Sequence, residues 1–288
     1  MVNLRELIAR VNGSDIASIR RIMDKTVEVA LDPNANAVDL KNLIEKDPPL
    51  AAKILRRANS AYYGLSHNVS DIMEAIMFIG FESVKELIIR KTVVDLFRNG
   101  ATGSGGYSRH ALWVHSVAVA SCGKMIARRE LSKTGNDIYT VGLLHDIGLI
   151  VADQFLGNDF LRVIEMTEHH DDAATIWQAE EDVFSFCHDE IGGALLEEWH
   201  FPEDISLAVR QAERPSADQV ACHEATALLH ISHVACQQRK LGYIELLPQD
   251  LDVYERCLGK FDIDKRALDF IMDDVDKQIH QMVEHDWF

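Results

Sequence analysis

The sequence predicts an all-α fold. Three observations carry the prediction: apolar residues recur at three- and four-residue spacing over long segments, prolines number six in 288 residues, and no run of alternating β-branched residues occurs. The elements follow in order along the chain. Leu4, Ile8 and Val11 mark one face of a first helix. Ser14 is placed to cap a second that carries Ile16, Ile19, Ile22, Met23 and Val27. A helix over 38–44 is stopped by Asp47-Pro48-Pro49, because proline removes a donor and restricts the residue before it. Helix resumes over 50–58, and 61–67 reads as a loop. Ser70 is placed to cap a helix over 72–79, Gly80 ends it, and 82–97 follows.

The segment NGATGSGGYS, residues 99–108, is the strongest loop signal in the chain. It divides an N-terminal helical part (1–99) from a helical bundle (109–288), with a glycine-rich loop over 100–108 between them. The later periodic segments are 107–129, 137–155, 159–169, 173–179, 187–199, 202–212, 219–239 and 265–284.

Composition excludes several function classes. Basic residues number 29 and acidic residues 46, a formal charge of −17. Such a surface repels phosphate backbones and anionic lipid, so non-specific nucleic-acid binding is not expected. Arg56–Arg57, Lys124 with Arg128–Arg129, and Arg239–Lys240 are local exceptions that solvated helix faces explain. Five cysteines, an odd number without CxxC spacing, disfavour a disulfide framework or zinc ribbon and suggest reduced, buried thiols. Charges interrupt the N-terminal stretch before any apolar run, and no stretch approaches the roughly 18 apolar residues of a membrane span. A soluble, cytoplasmic protein is the expectation. GSGG at 103–106 lacks a preceding strand and a P-loop lysine, and no GxSxG occurs.

The candidate chemistry centres on GLLHDIG, residues 142–148, where His145 and Asp146 interrupt an apolar stretch. Burying both without partners would cost several kcal/mol. A divalent metal compensates such a cost, and imidazole nitrogen with carboxylate oxygen suits zinc, iron or manganese. Consecutive helical positions diverge by about 100°, so other helices must supply further ligands. His115 in LWVHSVAVA, His188 in FSFCHDEIGGALL and His233 in LLHISHVAC are again polar groups in apolar helices. His230 lies three residues before His233, near the same face. His169–His170 sits in a polar helix end and needs no metal to explain it.

WVHS, GLLHDIG and CHDEIGGALLEEWHFP together resemble the HD superfamily of metal-dependent phosphohydrolases. IEKDPPLAAKILRRANSAYYG, residues 44–64, followed by DIMEAIMFIGFESVKELII, resembles the HDOD group, the HD-related output domain. The resemblance runs from about residue 15 to about 240. It implies that His115 is the first histidine ligand, that His145–Asp146 is the defining dipeptide, and that His188 is the later histidine of two-metal HD-GYP relatives. Those relatives carry a histidine pair before a proline, where VRQAERP has Ala212 and Glu213. His233 stands where an aspartate is expected, and Leu149 where a lysine usually follows.

His115, His145, Asp146 and His233 are therefore expected to hold one divalent ion (iron, manganese or zinc) rather than two, with His188 as a further candidate ligand. Asp146 is the candidate catalytic residue. The resemblance implies a bacterial regulatory output module with a degenerate metal pocket and little or no hydrolysis, signalling proteins as partners in trans and a nucleotide as ligand. The competing reading is a mononuclear phosphohydrolase acting on a nucleotide or cyclic dinucleotide. A third treats the histidine cluster as a relic core.

Overall fold

The computed structural model describes residues 3–13, 29, 32, 35–46, 48–60, 63–65, 67–98, 107–167, 175–211, 214–243 and 251–284. Among them all regular structure is helical and no strand occurs, as the periodicity predicts. The helix expected over 16–27, the loop residues 99–106, His169–His170, Ala212 and Glu213 lie outside the described residues. The chain forms two compact units, one of residues 15–96 and one of 1–14 with 97–288. The first helix, α1 (Leu4–Asn12), belongs to the second of these.

The unit over 15–96 contains α2 (Ala37–Ile44), α3 (Pro48–Ala58), α4 (Ile72–Ile79) and most of α5 (Phe81–Arg98). Asn36 caps α2 reciprocally with Asp39. Helix α3 begins at Pro48, two residues before the expected start, since a proline at the first helical position gives up no needed donor. Asp71, not Ser70, caps α4, accepting from the Glu74 amide at 2.9 Å. Ile72, Ile76 and Ile79 face a core shared with Leu40, Ile44 and Ile54, and Phe81 packs against it. Within the DPPLAAKILRRANSAYYG signature, Asn59 acts as a clamp. Its Nδ2 donates to the Val69 carbonyl at 2.8 Å and its Oδ1 accepts from the Val69 amide at 2.7 Å, tying together the ends of the following loop.

The second unit is organised around α6 (Arg109–Arg129), which Ser108 caps and which is buried along most of its length. It packs against α7 (Asn136–Leu144), α14 (Glu224–Gln238) and α16 (Lys265–Glu284). Helix α8 (Ile147–Leu156) packs against α9 (Asn158–Thr167) and α11 (His188–Glu198), and α9 packs against α10 (Ile176–Phe184). Helix α12 (Glu203–Arg210) lies against α11, while α13 (Ala217–Cys222) and α15 (Leu251–Lys260) lie against α14.

Two expected helices are each broken in two. The segment 137–155 divides at His145–Asp146, and 219–239 divides at His223. His223 has extended backbone, and its ring caps α14 through the Thr226 amide and hydroxyl. Helix α10 starts at Ile176 rather than 173 because Thr175 forms a capping box with Gln178. Helix α15 was not expected. All five thiols are free, but Cys222 is exposed at the end of α13, contrary to the buried expectation. No described helix is long and apolar enough to cross a membrane.

Asn59→Ala removes both bonds to Val69 and leaves that backbone pair to find water. It is expected to lower stability by about 1–3 kcal/mol, read as a lower urea midpoint with an unchanged denaturant slope.

Candidate metal centre

The α7–α8 break is built by close packing and by one side chain. Any β-carbon on Gly142 would come within 2.5 Å of the Ala120 Cα, so α7 crosses α6 almost backbone to backbone. A β-carbon on Gly148 would overlap the His188 carbonyl, so α8 meets the start of α11 just as closely. Between the two glycines, the His145 ring donates through Nδ1 to the Gly142 carbonyl at 2.8 Å, satisfying an acceptor of the last helical turn.

Asp146 is the N-cap of α8, yet its side chain makes no cap bond. An aspartate there normally accepts an amide proton of the first turn, a bond worth about 0.5–2 kcal/mol. The carboxylate of Asp146 instead lies 1% exposed beside His145, with Oδ1 3.0 Å from His145 Nε2. Oδ2 has no hydrogen-bond partner among the described residues, and Oδ1 has only the His145 contact. Burial alone raises its pKa. The His145 imidazole in its protonated form, with His115 and His233 beyond, outweighs burial and holds the carboxyl below the usual range.

Three mutually packed helices bring three histidines to this point. His115 comes from α6, His145 from the end of α7 and His233 from α14. Their ring centroids are 5.4 Å (115–145), 5.0 Å (115–233) and 5.2 Å (145–233) apart. One nitrogen from each lies within 4.8 Å of the others, and all three side chains are buried. His115 Nδ1 donates to the Leu241 carbonyl at 3.0 Å. Because a carbonyl only accepts, Nδ1 carries a proton in both His115 and His145, so the neutral form of each ring has its lone pair on Nε2, the form that ligates a metal. A divalent cation fits this donor set: two imidazoles turn Nε2 away from their backbone contacts, beside a buried carboxylate whose Oδ2 lacks a hydrogen bond.

His188 is fully buried but does not join the triad. Its Nδ1 and its backbone amide both donate to Glu180 Oε2, at 2.7 and 3.0 Å. Glu180, itself fully buried, is a residue that sequence reading missed. His230 also lies outside the triad, although it is buried one turn before His233. Cys187, Asp189 and Glu190 form a second group within metal-binding reach. Burial pushes the Cys187 thiol up to about 12, with the charges of Glu180 and Asp189 adding to it. The two carboxylates are engaged by amides at the start of α11, so helix capping accounts for them.

A further pair absent from the sequence reading braces the centre. Arg109 Nε and Asp153 Oδ2 form a buried ion pair at 2.5 Å between α6 and α8, with the Tyr107 hydroxyl 3.5 Å from the same oxygen. Burial, reinforced by Asp153, raises the Tyr107 pKa and keeps it a neutral phenol.

The HDOD domain family model matches residues 16–215. A Geobacter sulfurreducens HDOD domain protein of known structure is 27% identical, with a TM-score of 0.74 over 91% of each chain. A Marinobacter aquaeolei protein named for signal transduction is 20% identical, with a TM-score of 0.74 over 92% of this chain and 58% of that one. A Shewanella amazonensis protein named as a phosphohydrolase is 19% identical, with a TM-score of 0.65 over 89% and 88%. At those identities the last two show the fold alone. Among curated proteins, one from Treponema pallidum is 24% identical over 204 residues, and YuxH of Bacillus subtilis is 33% identical over 86. The aligned regions span 37% and 20% of those longer relatives.

Gly148→Ala tests the packing that sets the break. The added methyl cannot be accommodated without moving α11 from α8, and an overpacking cost of about 1–3 kcal/mol or more is expected in chemical denaturation.

Proposed function

We propose, from the premise that this chain belongs to the HDOD domain family, that it is a bacterial regulatory module whose HD-type pocket holds one divalent ion and performs little or no hydrolysis. It would act in the cytoplasm on signalling proteins in trans, with a nucleotide as a further ligand. The observation that carries this reading is the enclosure of the pocket: His115 and His145 are fully buried, Asp146 is 1% exposed and His233 2%. A hydrolase must admit a phosphate ester to an open coordination position. Side chains sealed to this degree favour a structural or sensing ion over one in turnover.

In this chain His115, His145, His233 and Asp146 would hold the ion. A metal bound there would supply Lewis-acid polarisation of an oxygen ligand. The protein's own part is to hold two imidazoles in their ligating tautomers, to keep Asp146 ionised, and to exclude water by the α6–α7 and α8–α11 crossings. Leu149, where a lysine usually follows HDIG, is fully buried and offers no phosphate contact. The name of the Marinobacter relative supports a signalling role at the level of the fold. Surface charge supports protein partners: Arg129 is paired with Asp274 at 2.7 Å, and Arg239 with Asp269, Asp273 and Asp276 at 2.9–3.2 Å, so one arginine in each of two basic exceptions is neutralised.

The competing phosphohydrolase reading shares the donors and differs in turnover, so one pair of measurements separates them. Protein purified without added metal is expected to carry about one zinc, iron or manganese per chain and no magnesium, since magnesium demands an oxygen shell that three imidazoles do not offer. Asp146→Ala and His145→Ala should lose most of it. Incubation with mononucleotides and cyclic dinucleotides should give no turnover above the Asp146→Ala background. Turnover that Asp146→Ala abolishes would establish the hydrolase instead. Absence of metal, without uptake of added manganese or iron, would leave the relic core.

A further inference from the structure

We propose that Gln237 is a positioning residue whose side-chain amide sets the tautomer of His233 and thereby decides whether that ring completes the histidine triad. This rests on the metal-binding reading above and goes beyond it by assigning a role to a residue outside the donor set.

The three histidines are not held alike. His115 and His145 each donate Nδ1–H to a backbone carbonyl, from Leu241 and Gly142. A backbone carbonyl cannot exchange acceptor for donor, so in the neutral form of those two rings the lone pair is on Nε2. His233 is held by a side chain. Its Nε2 lies 3.2 Å from Gln237 Nε2, one helical turn further along α14. Both residues are buried, Gln237 to 7% exposure.

A carboxamide presents either its amino group or its oxygen at the same place after a half-turn. With the amino group toward the ring, Gln237 donates to His233 Nε2, and the ring proton resides on Nδ1. With the oxygen there, His233 donates from Nε2 and the lone pair resides on Nδ1. Gln237 engages Nε2, so Nδ1 is the nitrogen that would coordinate, and the second orientation alone provides a ligand. Ion binding therefore selects the amide orientation in which the oxygen accepts. The position explains why the coupling exists in this chain. The aspartate expected at 233 in HD relatives has lone pairs on both oxygens and needs no tautomer set. A histidine there does, and Gln237 supplies the partner.

The test uses the full chain with ¹⁵N-labelled histidine, metal-free and titrated with zinc, as wild type, Gln237→Glu and Gln237→Met. A carboxylate can only accept, so Gln237→Glu should fix the lone pair of His233 on Nδ1 in the metal-free protein and tighten zinc binding. Gln237→Met keeps the length without the hydrogen bond. It should leave the His233 tautomer mixed and weaken zinc by roughly 10–100-fold, the usual effect of removing an outer partner of a metal-ligating histidine. Circular dichroism identifies any variant that fails to fold; Gln237→Met introduces no charge and carries the test if Gln237→Glu does not fold. Identical His233 nitrogen shifts in all metal-free folded variants, or a zinc affinity of Gln237→Met within twofold of wild type, would overturn the role of Gln237. If the wild type takes up no zinc, the metal-binding reading fails, and the nitrogen shifts of the metal-free proteins still decide whether Gln237 sets the tautomer.

Discussion

On either side of the His145–Asp146 break the backbone is pressed against another helix, α6 through Gly142 and α11 through Gly148. Neither position has room for a β-carbon beside its neighbour, so the break cannot slide along either partner. This pair of close approaches fixes where the two polar residues emerge. It also brings α7 close enough to α6 for His115 and His145 to meet with ring centroids 5.4 Å apart. Helix α14, packed on both α6 and α7, then supplies His233. The three histidines thus sit on or at the ends of packed helices rather than on loops, which is the condition for holding donors within the tolerance a metal requires.

Energetics gives the same residues meaning. Buried polar groups persist when their hydrogen bonds are satisfied or when function needs them. The rings of His115 and His145 each make a bond to a backbone carbonyl, and His188 has Glu180. Asp146 stands apart, because it occupies a capping position and forgoes the cap. Ion pairs and charges buried in this way seldom stabilise a fold relative to apolar packing. Stability alone accounts poorly for Asp146, whereas the proposed ion would give its charge a partner.

Much of the fold was legible in the sequence because helical periodicity is a local property. What escaped depends on tertiary contacts. GLLHDIG keeps its apolar spacing through the break, so nothing local announces that α7 ends at Leu144. The cause lies in Ala120 and His188, far away along the chain. The split at His223 was hidden because a histidine ring replaces the usual Ser, Thr or Asp cap. Helix α15 did carry a signal, with Val253, Tyr254, Cys257 and Leu258 on one face, all buried. Within the site, His115, His145 and His233 are together, as their shared pattern suggested. His188 shows the same pattern and lies outside the triad, because its orientation is set by Glu180, eight residues earlier. Asp146 could be read as chemically important, but its missing cap bond is visible only in three dimensions.

In the proposed centre the three imidazoles, with Asp146 beside them, converge on a single ion. Anomalous diffraction recorded at the zinc, iron and manganese absorption edges from crystals grown without added metal tests it most directly. Convergence predicts one anomalous peak within bonding distance of His115 Nε2, His145 Nε2, His233 and Asp146. An ordered, metal-free pocket with those side chains linked to one another or to water, in protein also soaked with zinc, would contradict it.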